Sequence, residues 1–201
     1  MILHWHNLRF VPKELLRGVF FIAFFLLPSF FCLLSAQGGS VRIAVYGGGS
    51  VDFVFNSIKD YNTGITYSNW TLLGLQVIDA AALPDYTKWK LSVNIEDADA
   101  DGWITGLNGN KLPFSTIEVK ATISAGCPSC QVYGSPFIAL SAAPTMIVDG
   151  GPAVLPPLAP ALATAADQVN ISYRCGVTTS LLGKAADFYS DNIIYTLEMD
   201  P

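Results

Sequence analysis

Apolar and polar residues alternate with a period of two through most of the chain. Val41, Ile43 and Val45 are separated by Arg42 and Ala44, and Val51, Phe53 and Phe55 by Asp52 and Val54. In Trp89-Lys90-Leu91-Ser92-Val93-Asn94-Ile95 every odd position is apolar and every even one polar. The same parity runs through Ile117, Val119, Ala121 and Ile123, through Val169, Ile171, Tyr173 and Cys175, and through Ile193, Tyr195, Leu197 and Met199. Successive side chains of an extended strand point to opposite faces, so this alternation predicts strands with one face buried and the other wet. Gly, Asn, Asp and Pro clusters separate the runs, which predicts two antiparallel sheets packed face to face. No long segment carries a 3.6-residue period; residues 158–166 are Ala-rich, but Pro156, Pro157 and Pro160 restrict that stretch to a short helical turn at most. The expected fold is all-β, an Ig-like antiparallel β-sandwich forming a single domain.

The N-terminus departs from this pattern. Residues 19–36 contain no charged side chain, follow the basic residues Arg9, Lys13 and Arg17, and end on the small pair Ser35-Ala36. Basic, apolar and small-residue regions in that order predict an export signal over residues 1–36, cut after Ala36, with the sandwich domain over 37–201. The alternative is an uncleaved anchor, for which this apolar stretch is near the shortest span of a bilayer. Membrane contact is expected only through this segment, if it is retained. The protein is expected outside the cytoplasm, at the cell surface or beyond it.

Export bounds the chemistry. Both histidines, His4 and His6, lie in the segment that cleavage removes. Without imidazole, Ser–His–Asp and Cys–His catalysis and histidine-ligated zinc are excluded. The formal net charge of −5 and the absence of a basic run exclude nucleic acid as a partner, since phosphate binding needs clustered cations. A carboxylate pair drawn from Glu96, Glu118 and Asp101 is the remaining route to hydrolysis. By parity, Glu118 and Glu198 fall on outward faces, where solvated charges are expected. No catalytic residue is assigned, and the chain is expected not to be an enzyme.

Asp97-Ala98-Asp99-Ala100-Asp101-Gly102-Trp103 is the sharpest local motif. Carboxylates at alternate positions followed by a glycine turn can wrap a hard cation with oxygen ligands, so Asp97, Asp99, Asp101, the Trp103 carbonyl and Asn108 form a candidate calcium loop. An EF-hand has a bidentate Glu where this chain has Asn108, and the flanking segments read as strands. The other reading of the loop is an acidic, solvated hairpin tip. Cys127, Cys130 and Cys175 are the disulfide candidates: either a small Cys127–Cys130 loop bridge or a Cys130–Cys175 staple suits an oxidising compartment. Trp70 and Trp103, with Tyr61, Tyr67 and Tyr86, fall in or near loops and are candidate glycan-stacking rings. Asn69-Trp70-Thr71 and Asn170-Ile171-Ser172 fit the glycosylation sequon, a motif common by chance. Residues 149–166 form a long Pro-rich apolar loop, either a contact surface or a cover over one end of the sandwich.

Several segments, taken in order, carry a resemblance. Phe53-Val54-Phe55-Asn56, Trp89-Lys90-Leu91-Ser92-Val93, Leu112-Pro113-Phe114-Ser115-Thr116-Ile117-Glu118-Val119 and Tyr189-Ser190-Asp191-Asn192-Ile193-Ile194-Tyr195-Thr196-Leu197 resemble secreted bacterial β-sandwich surface proteins. That group includes WxL-type domains, spore-coat-U-like proteins and pilin-like subunits. Where the WxL pattern has a second Trp-x-Leu, this chain has Tyr195-Thr196-Leu197. The resemblance implies a structural or adhesive component of a surface or appendage, with other copies of itself, surface proteins or glycans as partners. It also implies a donor strand. Residues 37–46, with Val41, Ile43 and Val45 alternating ahead of Gly47-Gly48-Gly49, can complete a neighbour's sheet or form the first strand of their own.

Overall fold

The alternating runs over 89–95, 117–123, 169–175 and 193–197 fold as strands with the expected side inward, whereas over 41–45 Ala44 is buried and Ile43 and Val45 pack half-buried against the core. The computed structural model describes residues 2–4, 41–77, 88–127, 130–133, 136–150 and 167–200. Most of the expected signal segment, residues 37–40 of the donor candidate, Tyr86, and the Pro-rich stretch from 151 to 166 lie outside the described residues. A five-stranded sheet runs in the order β10 (Ile138–Ala139), β8 (Ile117–Ala125), β12 (Asp167–Cys175), β4 (Ile65–Val77), β2 (Val41–Gly47). A four-stranded sheet runs β14 (Ile193–Asp200), β5 (Lys88–Ile95), β11 (Thr145–Asp149), β9 (Gln131–Val132). All pairings in both are antiparallel, and the two sheets pack against each other as an all-β sandwich.

Parity decides what fills the space between them. Trp89, Leu91, Val93 and Ile95 of β5 face Val169, Ile171, Tyr173 and Cys175 of β12 within one buried cluster. Each fully buried aliphatic side chain of this kind contributes roughly 1.5–3 kcal/mol from the water it no longer touches. Val51, Phe53 and Phe55 are buried as well, although only Asp52–Val54 (β3) is paired as strand. Two smaller sheets close the structure. β1 (Ile2–His4) lies between β3 and β13 (Phe188–Tyr189), and β6 (Trp103–Thr105) pairs with β7 (Lys111–Pro113). One short α-helix among the described residues, α1 (Ile58–Thr63), starts where the Ser57 hydroxyl accepts the Asp60 N–H at 3.1 Å.

The alternation did not reveal β4 or β11. In β4 the inward position Thr71 is polar, and the pairing with β12 slips: Thr71 lies opposite Ile171, but Tyr67 lies opposite Tyr173. The surplus residues of β4 bulge out of the sheet, with Asn69 in the left-handed region at φ 50°. Gly48 (φ 65°) sits against this bulge, and a Cβ there would lie 2.1 Å from the Trp70 carbonyl oxygen, so only glycine fits.

Thr71 is fully buried yet satisfied. Its hydroxyl donates to the Gly48 carbonyl and accepts from the Tyr173 hydroxyl at 3.0 Å, and the Tyr195 hydroxyl lies 3.0 Å from that of Tyr173. Tyr173 already donates to Thr71, so Tyr195 must donate to Tyr173. A single file of hydroxyls therefore runs from β14 in one sheet, through β12 and β4 in the other, to the turn between β2 and β3. Burial pushes both phenols above their ordinary range. Tyr195→Phe is expected to cost about 1 kcal/mol in urea unfolding. Thr71→Val with Tyr195→Phe should cost measurably less or more than the sum of the single changes, because the two hydroxyls share Tyr173. Strict additivity would mean that the file does not act as a unit.

Candidate functional site

The acidic loop after β5 is organised by its own backbone. Asp97 Oδ1 accepts the Asp101 N–H at 3.0 Å, and both Asp97 oxygens lie within 3.3 Å of the Gly102 N–H. Ala100 (φ 53°) and Gly102 (φ 78°) turn the chain so that these amides point back at Asp97. Asp101 accepts from the Trp103 N–H at 2.9 Å and from the Lys111 ammonium at 2.6 Å; the Lys111 bond, then the Trp103 amide, hold its carboxyl below the usual range. Asn108 is directed elsewhere, donating through its backbone N–H and Nδ2 to Asp187. The structure thus gives Asp97, Asp101 and Asn108 separate protein partners rather than one shared centre. Among the described residues, no three His, Cys, Asp or Glu side chains are placed to hold a metal ion.

Asp187 was not singled out by sequence, because a lone aspartate between Ala186 and Phe188 carries no pattern. It accepts from Asn108 N and Nδ2, from Asn110 Nδ2 at 2.9 Å and from the Phe188 N–H at 2.8 Å. Burial alone would raise its carboxyl, but these donors hold it below the usual range. Asp187 therefore ties the β6–β7 turn to β13. On the other side of the loop, the Glu96 carboxylate accepts from Asn192 Nδ2, and the Glu96 N–H donates to the Asn192 carbonyl at 2.8 Å. Asp191, beside Asn192, is pushed up to about 7, first by burial and then by Glu96, Asp97 and Asp99, against the opposing Asn192 N–H bond.

Trp70 and Trp103 are each 44 % exposed. Trp70 is the more firmly held: its Nε1 donates to the Ser50 carbonyl at 2.6 Å, and its ring lies 4.9 Å from that of Tyr67. Tyr67 in turn packs 5.2 Å from buried Phe53, and its hydroxyl donates to the Asp52 carbonyl. Tyr61 packs instead on Phe55. Asn69 of the first sequon is exposed on the bulge, whereas Asn170 of the second is half-buried in the central strand β12.

Cys127 and Cys130 form a disulfide, with Cα atoms 5.4 Å apart, and Cys175 is free and buried. The small loop bridge is therefore the pairing adopted, and the Cys130–Cys175 staple is not. Burial first, and then the Glu118 carboxylate, push the Cys175 thiol far above its ordinary value. Glu118 itself corrects the parity expectation. It is on the outward face, but it is buried: Arg174 grips it through Nε and Nη2 at 2.8 Å each, Thr178 donates to it at 3.1 Å, and Phe137 lies 4.4 Å from the Arg174 guanidinium. Glu118 and Arg174 are directly paired across β8 and β12, which explains the close fit.

Val41, Ile43 and Val45 of the donor candidate lie in β2, paired antiparallel with β4 of the same chain. No protein-family model matches the chain, and no curated protein matches it.

Two outcomes follow from the buried titratable groups. Between about pH 4 and 7 the folded chain keeps the Asp191 proton that the unfolded chain releases near its ordinary 3.8, so stability falls as pH rises through that window. Asp167, raised by burial, acts with the same sign. Asp101 and Asp187 are lowered and act with the opposite sign only at lower pH. Asp191→Asn should flatten the pH 4–7 slope of urea stability and stabilise the protein at pH 8; an unchanged slope would count against the assignment. Alkylation by iodoacetamide, read by peptide mapping, should leave Cys175 unmodified in the native protein at pH 8 and modify it in urea, because only an exposed thiolate reacts.

Proposed function

We propose that this chain is an exported structural or adhesive protein of a cell surface or appendage, and that it is non-catalytic. The observation that carries the proposal is the position of β2. This seven-residue strand, with Arg42 as its sole charge, lies at the edge of the five-stranded sheet with β4 as its neighbour. An edge strand that long is a template for pairing with a further chain. The Cys127–Cys130 bridge suits an oxidising compartment, in keeping with export. The Ig-like label belongs to the same proposal. So does a calcium-stiffened loop over residues 97–108, where an ion would have to displace Lys111 from Asp101.

A second reading, carbohydrate binding, is favoured by one specific observation: Trp70 is half-exposed and its ring is fixed by Ser50 and Tyr67 before any ligand arrives. A ring held in place loses little freedom when a sugar stacks on it. Light scattering and electron microscopy of the signal-free chain, with and without calcium, separate the two. The assembly reading expects oligomer ladders or filaments. A stable monomer that binds glycans, and loses them in Trp70→Ala, would replace it with the second.

A further inference from the structure

The three-stranded sheet depends on a strand from the far N-terminus. β1 runs antiparallel to β3, with Ile2, Leu3 and His4 opposite Val54, Phe53 and Asp52. It runs parallel to β13, with Ile2 and Leu3 opposite Phe188 and Tyr189. The expected export signal, residues 1–36, contains this strand.

Both walls around β1 are anchored by contacts that do not involve it. β3 is held by the Tyr67 hydroxyl on the Asp52 carbonyl at 3.0 Å. β13 is held on its other side by the Leu107 N–H on the Phe188 carbonyl at 2.9 Å, by the Gly106–Tyr189 bridge and by the Asp187 ties to Asn108 and Asn110. Their side chains set an alternating surface. Phe53 and Tyr189, the two partners of position 3, are fully buried, whereas Val54 and Phe188, the two partners of position 2, are 43 % and 37 % exposed.

We propose that β3 and β13 form a preformed peptide slot that the uncut chain fills with its own N-terminal strand. Removal of residues 1–36 opens the slot. It then takes an extended apolar peptide, antiparallel to β3 and parallel to β13, with an apolar residue in the place of Leu3. Main-chain hydrogen bonds to two strands supply the affinity, and the alternation of buried and exposed neighbours supplies the register. The proposal rests on the export reading, because an uncut chain keeps the slot occupied.

The test uses the full chain, folded in detergent, with a protease site introduced after Ala36. Hydrogen exchange is followed at residues 52–54 and at Tyr189 before cutting, after cutting and washing out the fragment, and after adding a peptide of residues 1–7 (MILHWHN). Protection at both walls should fall about tenfold on cutting and return saturably with the peptide. The same peptide carrying Leu3→Pro, which removes a ladder N–H, should not restore it. Protection that survives removal of the fragment, that the peptide fails to restore, or that the proline peptide restores equally well would overturn the slot. A cut chain that stays monomeric yet answers to the peptide would remove the assembly reading and leave the slot standing; assembly without any response to the peptide would do the reverse.

Discussion

The file of hydroxyls from Tyr195 through Tyr173 and Thr71 to the Gly48 carbonyl is the constraint on which the rest of the sandwich depends. Two apolar sheet faces can slide over one another at little cost, because dispersion and water exclusion have no direction. A buried hydroxyl has direction, and leaving one unmatched costs about 1–3 kcal/mol. With Tyr195 in one sheet and Tyr173 in the other, the bond between them fixes how the sheets sit. Its continuation through Thr71 fixes where the β2–β3 turn lies, and so the position of the β4 bulge beside Gly48. The half-exposed ring of Trp70, packed on Tyr67, is displayed at the surface as a consequence.

A second set of polar ties governs the opposite problem, that of loops with no core of their own. Asp187 gathers donors from Asn108, Asn110 and Phe188, so the β6–β7 turn and β13 hold each other in place. Asp97 does the same for the acidic loop by accepting its own backbone amides. Glu118, gripped by Arg174 beneath Phe137, clamps the outer face of β8 to β12. In each case a carboxylate is spent on protein donors. These bonds tie segments distant in sequence to one another and order loops that lack a core.

Seen in that way, the acidic residues divide by environment rather than by type. Asp101 and Asp187 are surrounded by donors and stay ionised readily, while Asp191, half-buried among Glu96, Asp97 and Asp99, resists ionisation up to about neutral pH. Asp187 and Asp191, close together in sequence, therefore contribute stability of opposite sign as pH changes. A rule that counts aspartates per loop cannot separate these cases, because the distinction lies in which amides and ammonium groups the fold brings to each carboxyl.

The alternation of apolar residues by itself determined the all-β class, the inward faces of β5, β8, β12 and β14, and the burial of Val51, Phe53 and Phe55, since side-chain direction along a strand is a local property. Residue type, rather than alternation, pointed to Trp70, Trp103 and the cysteines. Only the tertiary structure decided which cysteine stayed free, that Glu118 is buried although its parity is outward, that Thr71 is an inward position, and that Asp187 matters at all. Each of these depends on a partner distant in sequence: Arg174 for Glu118, Tyr173 for Thr71, Asn108 and Asn110 for Asp187. Periodicity records which way a side chain points; what it meets there is set by the packing of segments that the pattern treats as independent.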